Sequence, residues 1–425
     1  IGKAFPARAS VILNYFSFLK DKLNYIAEQS TSLKLNNYIA GTSIKIVDSK
    51  ILKKNKPDLI IVFAWHLFKE IKKKWKSKGL PMDQESLNII SKKINFSSLK
   101  KNKIKNILIT GCSGFIGNYL INTLLNKKFE NNFKIYGLDI VKPKLFKNTN
   151  KKRFFFYKKD LFKINKFNLN KPINLVIHLA GIPSPVFYKL KPLETFYLNS
   201  ELCKIFLNFS RKKKSKFVFF SSSEIYGNPD AKNIPTKETY EGCVSSVGDR
   251  SCYDESKRAG ETYTWIYKNL YKLNCKIVRP FNFYGNGMKK YDMRVIPQFF
   301  YTAINKKKIF PFSNGNQTRA YCHIIDAIPQ IINVCFFGKK FVYNIGNSNE
   351  EISASKLAKK IKKVIGEKSI KIKNISYPTN YPSSEPLRRC PDISNLREEF
   401  NYVPSIRIIE GLKMFYKYAK ENFNL

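Results

Sequence analysis

Lys105–Gly117 reads KNILITGCSGFIG, and the architecture follows from it. Ile107, Leu108 and Ile109 form a short apolar run of the kind that makes a buried strand in a parallel sheet. Gly111, Gly114 and Gly117 come next, in G-x-x-G-x-x-G spacing. Ile116, Leu120, Ile121, Leu124 and Leu125 then recur at helical period, so a helix is expected to open at the last glycine. Strand, glycine turn and helix make a phosphate cradle: Gly111 for the tight turn, Gly114 for close approach to a pyrophosphate, Gly117 for packing of helix on strand. Phe115 and Ile116 belong to the same turn, whose helix N-terminus offers unpaired N–H groups and a positive dipole end. A second strand, Lys134 to Leu138, ends at Asp139, at the distance where an acid bonds the ribose hydroxyls of an adenine dinucleotide. Such an acid favours NAD over NADP, whose 2′-phosphate it would repel.

The 425 residues suffice for two or three domains, and the 43% hydrophobic content is that of a globular chain. No apolar run reaches the length of a membrane span. Eight cysteines (Cys112, Cys203, Cys243, Cys252, Cys275, Cys322, Cys335, Cys390) lack C-x-x-C pairing and there are three histidines, so no metal site is expected, and reduced thiols in a cytoplasm are. A net charge of +46 raises the question of nucleic acid. The lysines are spread over the whole length, as on solvated faces, so no nucleic-acid partner is expected.

Residues 1–78 read as a small α/β unit, with strands at Leu23 to Ala27 and Leu59 to Ala64 and a helix at Phe68 to Trp75. Gly79 to Lys103 reads as a linker, weakly amphipathic around Leu87 to Ile94. From residue 104 strands and helices alternate: Phe154 to Tyr157 leads to Asp160-Leu161, Ile173 to Leu179 leads to Leu179-Ala180-Gly181, and Phe217 to Phe220 follows a helix at Asn199 to Phe209. Alternation of this kind argues for a doubly wound parallel sheet, with ligands beyond the carboxyl ends of its strands. Asp160 and Leu161 are placed to meet an adenine edge. Small residues after His178 let a cofactor lie against the backbone at Leu179 and Ala180.

The fifth strand ends in Ser221-Ser222-Ser223-Glu224, and Tyr253-Asp254-Glu255-Ser256-Lys257 lies thirty residues beyond Ser223. On a helix Tyr253 and Lys257 are one turn apart on one face. A nearby ammonium is expected to lower the phenol pKa, so that Tyr253 can take a hydroxyl proton while hydride leaves the same carbon. Ser222 is placed to bond the same oxygen, and Glu224 to position water or a ring hydroxyl.

The strings TGCSGFIG, SSSEIYG, SCYDESKRAGE, RPFNFYGNGM and GNQTRAYCHIID together resemble an extended short-chain dehydrogenase of the nucleotide-sugar epimerase/dehydratase family, across residues 104–425. Within it the chain is most similar to UDP-glucuronate decarboxylases, which carry comparable S-E, YDE-x-KR and R-x-PDI elements. The resemblance implies a Rossmann-type core with a smaller substrate-binding part mainly within 283–400, NAD as cofactor and a nucleotide-diphosphate sugar as substrate. It also implies a homodimer. Its roles fall on Ser222 as catalytic hydroxyl, Tyr253 as base, and Lys257 as partner of both tyrosine and cofactor ribose. Asn282 and Arg294 match positions near the nucleotide-sugar, Arg319 a diphosphate ligand, and Arg389 the arginine that contacts the sugar carboxylate. Cys390 stands where a basic residue is usual and Asn286 where Pro is.

All subclasses first oxidise the C4 hydroxyl to a ketone. A 4,6-dehydratase must then expel the C6 hydroxyl, using an Asp-Glu pair after the catalytic hydroxyl; here Ser223 stands in place of that Asp. A decarboxylase needs no such leaving-group donor, because the 4-ketone makes a β-keto acid. It does need a cation for the carboxylate, and the fork of Arg389 suits that. Decarboxylation of a UDP-uronic acid is therefore expected, with 4-epimerisation or 4,6-dehydration as enzymatic alternatives. A non-catalytic basic protein binding RNA or a partner is the rival from another class. Residues 1–78 resemble the C-terminal domain of sugar C-methyltransferases through Ala40-Gly41-Thr42, Pro57-Asp58, Ala64-Trp65-His66 and Glu70-Ile71. The methyl-donor part of that family lies upstream of the corresponding unit, so no methyl transfer is expected from these residues by themselves.

Overall fold

A computed structural model of the chain describes residues 2–3, 25–28, 36–38, 44–48, 61–62, 84–129, 132–378, 381 and 385–423. The chain divides into two compact units, 1–78 and 79–423. In the first, Lys45–Asp48, Tyr25–Glu28, Gly2–Lys3 and Ile61–Val62 lie side by side in that order, all parallel. The expected helix at 68–75 and His66 lie outside the described residues, as do the motifs at 40–42, 57–58, 64–66 and 70–71.

The strands of the second unit are β1 (Asn106–Thr110), β2 (Lys134–Asp139), β3 (Phe154–Lys158), β4 (Leu175–His178), β5 (Lys216–Phe220), β6 (Cys275–Pro280), β7 (Asn282–Tyr284), β8 (Lys308–Ile309), β9 (Thr318–His323), β10 (Val342–Ile345), β11 (Glu351–Ser353), β12 (Lys371–Ile372) and β13 (Arg388–Arg389). Its α-helices are α1 (Gln84–Lys92), α2 (Phe96–Lys101), α3 (Phe115–Leu124), α4 (Pro185–Leu190), α5 (Pro192–Asn199), α6 (Glu201–Lys213), α7 (Ser251–Tyr271), α8 (Val295–Lys306), α9 (Ile324–Phe337), α10 (Ala354–Ile365), α11 (Ser394–Phe400) and α12 (Ile408–Asn422).

The main sheet runs β3-β2-β1-β4-β5-β6-β10, parallel throughout. This is the doubly wound dinucleotide order with a seventh strand added at one edge. The run Ile107–Ile109 is apolar at every position because both faces are covered. Ile107 and Ile109 pack with Leu120, Ile121 and Leu124 of α3 and with Ile325, Ile328 and Ile332 of α9. Leu108, between them, points the other way, into a core with Phe206 and Leu207 of α6 and Phe217 and Phe219 of β5. Reversal of side-chain direction along a strand thus feeds two helical layers from one run. A second sheet has β7, β11 and β13 all paired to β9, and a third core, around Phe300, Leu357, Leu412 and Phe415, supports it.

One expectation is corrected here. The stretch 79–103 is not a simple linker. From residue 84 it forms α1 and α2, with Ile90, Ile94 and Leu99 buried in the same core as Ile107, and Lys93 paired at 2.6 Å with the buried Asp326 of α9. Asn95 caps α2 by accepting from the Ser98 N–H, and this break splits the apolar positions between two short helices. The helix expected around 199–209 is α6, which starts at Glu201 after Ser200 separates it from α5.

Candidate active site

The glycine turn has the geometry its spacing implies. Gly111 sits at φ +66°, and a Cβ there would lie 2.8 Å from the Ala180 nitrogen, the residue after β4. A Cβ on Gly117 would lie 2.7 Å from the Cys112 carbonyl oxygen, so helix and turn meet backbone to backbone. A Cβ on Gly114 would touch only the Gly111 carbonyl, at 3.2 Å. Helix α3 starts at Phe115, two residues earlier than expected, with no side-chain cap and no acid in its first turn. Its leading N–H groups are therefore left for an anion. Asp139 braces the loop, accepting from the Ser113 N–H at 2.9 Å and from Ile140 N–H at 2.7 Å. Asp160 caps a short turn that buries Leu161, accepting from the Phe162 N–H. Leu179 and Ala180 are tied to Thr110, the first by its N–H to the carbonyl and the second to the side-chain oxygen. These residues fit a dinucleotide, and they would hold NAD.

Helix α7 sets Tyr253 and Lys257 on one face, both buried. Lys257 Nζ donates to the Phe220 carbonyl at 2.7 Å and lies 5.7 Å from the centre of the Tyr253 ring. Burial lowers its pKa to about 8. Ser222, at the carboxyl end of β5, is hydrogen-bonded to Tyr253 and accepts from the Glu224 N–H. The Tyr253 ring stacks on Tyr188 of α4, centroids 5.1 Å apart. The expected lowering of the phenol pKa is not a property of the chain by itself. Burial raises it, the Ser222 hydrogen bond opposes that rise, and Glu224 and Asp254 add to it. Lys257 is turned to the Phe220 carbonyl and does not reverse the balance.

Beyond Tyr253 lies a chain of buried charges. Arg389 holds both oxygens of Glu224 in a fork, and Arg250 bonds the same carboxylate. Burial works against the Glu224 charge, but Arg389 and Arg250 outweigh it and hold the pKa below the ordinary carboxylate value. Arg250 also reaches Glu385 at 3.0 Å and Asp254 at 3.4 Å. Glu385 in turn bonds Arg319, whose Cα pairs with that of Arg389 across β9 and β13. Register thus closes the chain of charges into a ring.

Two of the expected site residues have internal partners in this ring. Arg319 was expected on a diphosphate, yet its Nη1 donates to the Thr318 and Leu387 carbonyls and its Nη2 to Glu385 and the Pro386 carbonyl. With both terminal nitrogens used inside the protein, it staples the segment that leads into β13. Glu224, expected to place water or a ring hydroxyl, has its carboxylate committed to two arginines. Arg294 forks onto Asp292 and lies 5.8 Å over the Phe115 ring, beside the glycine turn. Asn282 starts β7, and its Nδ2 is buried without a partner in the protein. Ser184 Oγ, Tyr188 OH, Ser221 Oγ and Arg389 Nε are in the same condition. Buried polar groups are rarely left so, and at this end of the sheet they suit a polar ligand.

Arg250, Asp254, Glu385 and Tyr188 are functional candidates that sequence reasoning missed. Arg250 had a readable signal: it stands three residues before Tyr253 and four before Asp254, on one helical face. Glu385 had none, being 135 residues from Arg250.

Residues 107–346 match the model of the NAD-dependent epimerase/dehydratase family. The chain belongs to that family. Residues 1–79 match the C-methyltransferase C-terminal domain model. UDP-glucuronic acid decarboxylase 3 of Arabidopsis thaliana is 31% identical over 324 residues, covering 75% of this chain and 89% of the relative. UDP-glucuronic acid decarboxylase 1 of the same plant is 31% identical over 310 residues, covering 72% and 68%. Among solved structures, UDP-N-acetylglucosamine 4-epimerase of Methanobrevibacter ruminantium superposes with TM-score 0.64 at 23% identity, over 74% of this chain and 98% of that one. A dTDP-glucose 4,6-dehydratase of Bacillus anthracis, in complex with NAD, gives 0.61 at 21% identity, over 75% and 97%. The chain is thus an NAD-dependent enzyme of nucleotide-sugar chemistry.

Proposed function

We propose that this enzyme decarboxylates a UDP-uronic acid through a transient 4-keto sugar. The observation that carries the reading is the buried Arg389 beside Ser222 and Tyr253, its Nε donor unused and its fork shared with Glu224. The relatives named as UDP-glucuronic acid decarboxylases support the same substrate class.

NAD, which the Gly111–Gly117 turn, Asp139 and Ala180 would hold, would supply a hydride acceptor for the sugar C4 and a positive ring that favours the phenolate. Tyr253 receives the C4 hydroxyl proton, with Ser222 bonded to the same phenol oxygen. Lys257, anchored on the Phe220 carbonyl, keeps a cation beneath that tyrosine. Once C4 is a ketone the uronate is a β-keto acid, and the electron pair of its carboxyl bond passes into the ketone as CO2 leaves. Arg389 orients the carboxylate for this step. Ser223 leaves no acid where a dehydratase would need one.

A homodimer is part of the proposal. Phe187, Leu190, Leu193 and Phe196 of α4 and α5, with Trp265 and Leu270 of α7, are exposed apolar side chains on neighbouring helices. The eight cysteines, all free, favour a reducing compartment, and we place the enzyme in the cytoplasm.

The test is incubation with NAD and a panel of UDP-sugars, with products analysed by mass. UDP-glucuronate should yield the pentose. Tyr253→Phe should leave no NADH absorbance in a single turnover with any sugar. Arg389→Ala should cut turnover of the uronate by roughly a hundredfold, the loss of a charged, forked contact, while sparing C4 oxidation of neutral sugars. Equal loss on acidic and neutral sugars would favour 4-epimerisation instead.

A further inference from the structure

The ring of charges contains three arginines, Arg250, Arg319 and Arg389, and three carboxylates, Glu224, Glu385 and Asp254. In this state each cation already faces an anion. Both terminal nitrogens of Arg389 are on Glu224, and those of Arg319 are used as described. Arg250 is shared by all three carboxylates. A uronate arriving at the free Nε of Arg389 brings a fourth negative charge to three positive ones, in a region shut off from water. Buried charge of one sign in excess is costly, and the ordinary relief is for one group to change protonation.

The carboxylate placed to do so is Asp254. It is 6% exposed, touches Arg250 only at 3.4 Å, and its Oδ1 is buried with no partner at all. Glu224 and Glu385, by contrast, each bond two arginines. The groups acting on Asp254 come from every side. Glu224, after β5, disfavours its charge; Arg250 on its own helix and Arg389 on β13 favour it; Tyr188 of α4, Cys252 and Tyr253 are the neutral acids nearby. Burial and Glu224 prevail and push its pKa up to about 7.

We propose that Asp254 takes up one proton when the acidic nucleotide-sugar binds, and so offsets the charge of the uronate in the arginine ring. The inference rests on the uronate reading above. It also matches the stoichiometry of the reaction. The bond from C5 to the carboxylate breaks, its electron pair passes to the C4 ketone as an enolate, CO2 leaves, and C5 gains a proton. One proton is consumed per turnover, and Asp254 brings one into the site before chemistry begins.

The test is titration calorimetry of NAD-loaded Tyr253→Phe enzyme, which binds without turnover, in buffers of differing ionisation enthalpy. With Asp254 at about 7 in the free enzyme, UDP-glucuronate at pH 7.5 should draw roughly 0.7 proton from the buffer. UDP-glucose should draw little. Above pH 7.5 the affinity for UDP-glucuronate should weaken by up to roughly tenfold per pH unit, with that for UDP-glucose flat. Adding Asp254→Asn should abolish both the uptake and the slope. Because the wild-type residue is read first, the result stands even if Asp254→Asn does not fold. UDP-glucuronate bound and decarboxylated by the unmutated enzyme, yet bound without proton uptake or with uptake that survives Asp254→Asn, overturns the inference alone. Failure to bind UDP-glucuronate at all overturns the reading of function, and the inference with it.

Discussion

His178 ends β4 in the centre of the sheet and is 1% exposed. Its Nε2 faces the Leu198 carbonyl at 3.1 Å, so that nitrogen carries the proton and donates. Its Nδ1, 2.8 Å from Thr110 Oγ1, then accepts from the hydroxyl. The imidazole is thereby used as a neutral ring. Burial, and next the charge of Lys257, lower its pKa from 6.5 to about 3. The unfolded chain holds the ordinary value, so between those limits it binds the proton that the folded chain refuses. Stability must therefore fall as pH falls from 6.5 towards 3, by about 1.4 kcal/mol per pH unit from this residue. At pH 5 the loss is about 2 kcal/mol, a large part of the few kcal/mol that hold a domain folded. Urea unfolding of the wild type and of His178→Gln at pH 7.5, 6 and 5 isolates the term, since other titrating groups are common to both. His178→Gln begins less stable, because one hydrogen bond is lost, but its stability should fall less steeply with acid. Parallel loss in the two proteins would refute the argument and place the acid sensitivity elsewhere.

Two further outcomes follow from packing. Gly111→Ala forces a Cβ to 2.8 Å from the Ala180 nitrogen at positive φ; it should cost about 1–3 kcal/mol in thermal unfolding and weaken NAD binding measured by calorimetry. Lys93→Met removes the ion-pair partner of the buried Asp326, leaving its carboxylate to the Ser405 and Ile406 N–H groups and the Ser405 hydroxyl, and should cost about 1–3 kcal/mol in urea titration; an unchanged midpoint would return residues 84–101 to the status of a linker.

The legible part of this molecule was whatever repeats locally. Strands alternating with helices gave the doubly wound parallel sheet, since alternation leaves few topologies open. Gly111 and Gly117 could be assigned roles because those roles are steric and lie within a few residues. The helix pair at 84–101 escaped because its core residues straddle the Asn95 cap, leaving neither half enough periodicity to be recognised. The internal partners of Arg319 were hidden for the opposite reason: its motif was plain, but Glu385 to Leu387 are about 66 to 68 residues away. The pKa direction of Tyr253 failed because a sequence shows a neighbouring lysine but not the burial that outweighs it. Long-range charge pairing and desolvation both depend on the assembled fold.

The closing of the arginine ring by β13 has a consequence for how the enzyme comes into being. Every strand of the main sheet has left the ribosome once Ile345 has, and the sheet can form from what has emerged. Glu385 and Arg389 are made later, and Arg389 must reach back 165 residues to Glu224. Until they arrive, Glu224 has only Arg250, Arg250 has only Glu224 and Asp254, and Arg319 lacks its staple. The carboxylate site is thus completed only after every strand of the nucleotide fold has been made.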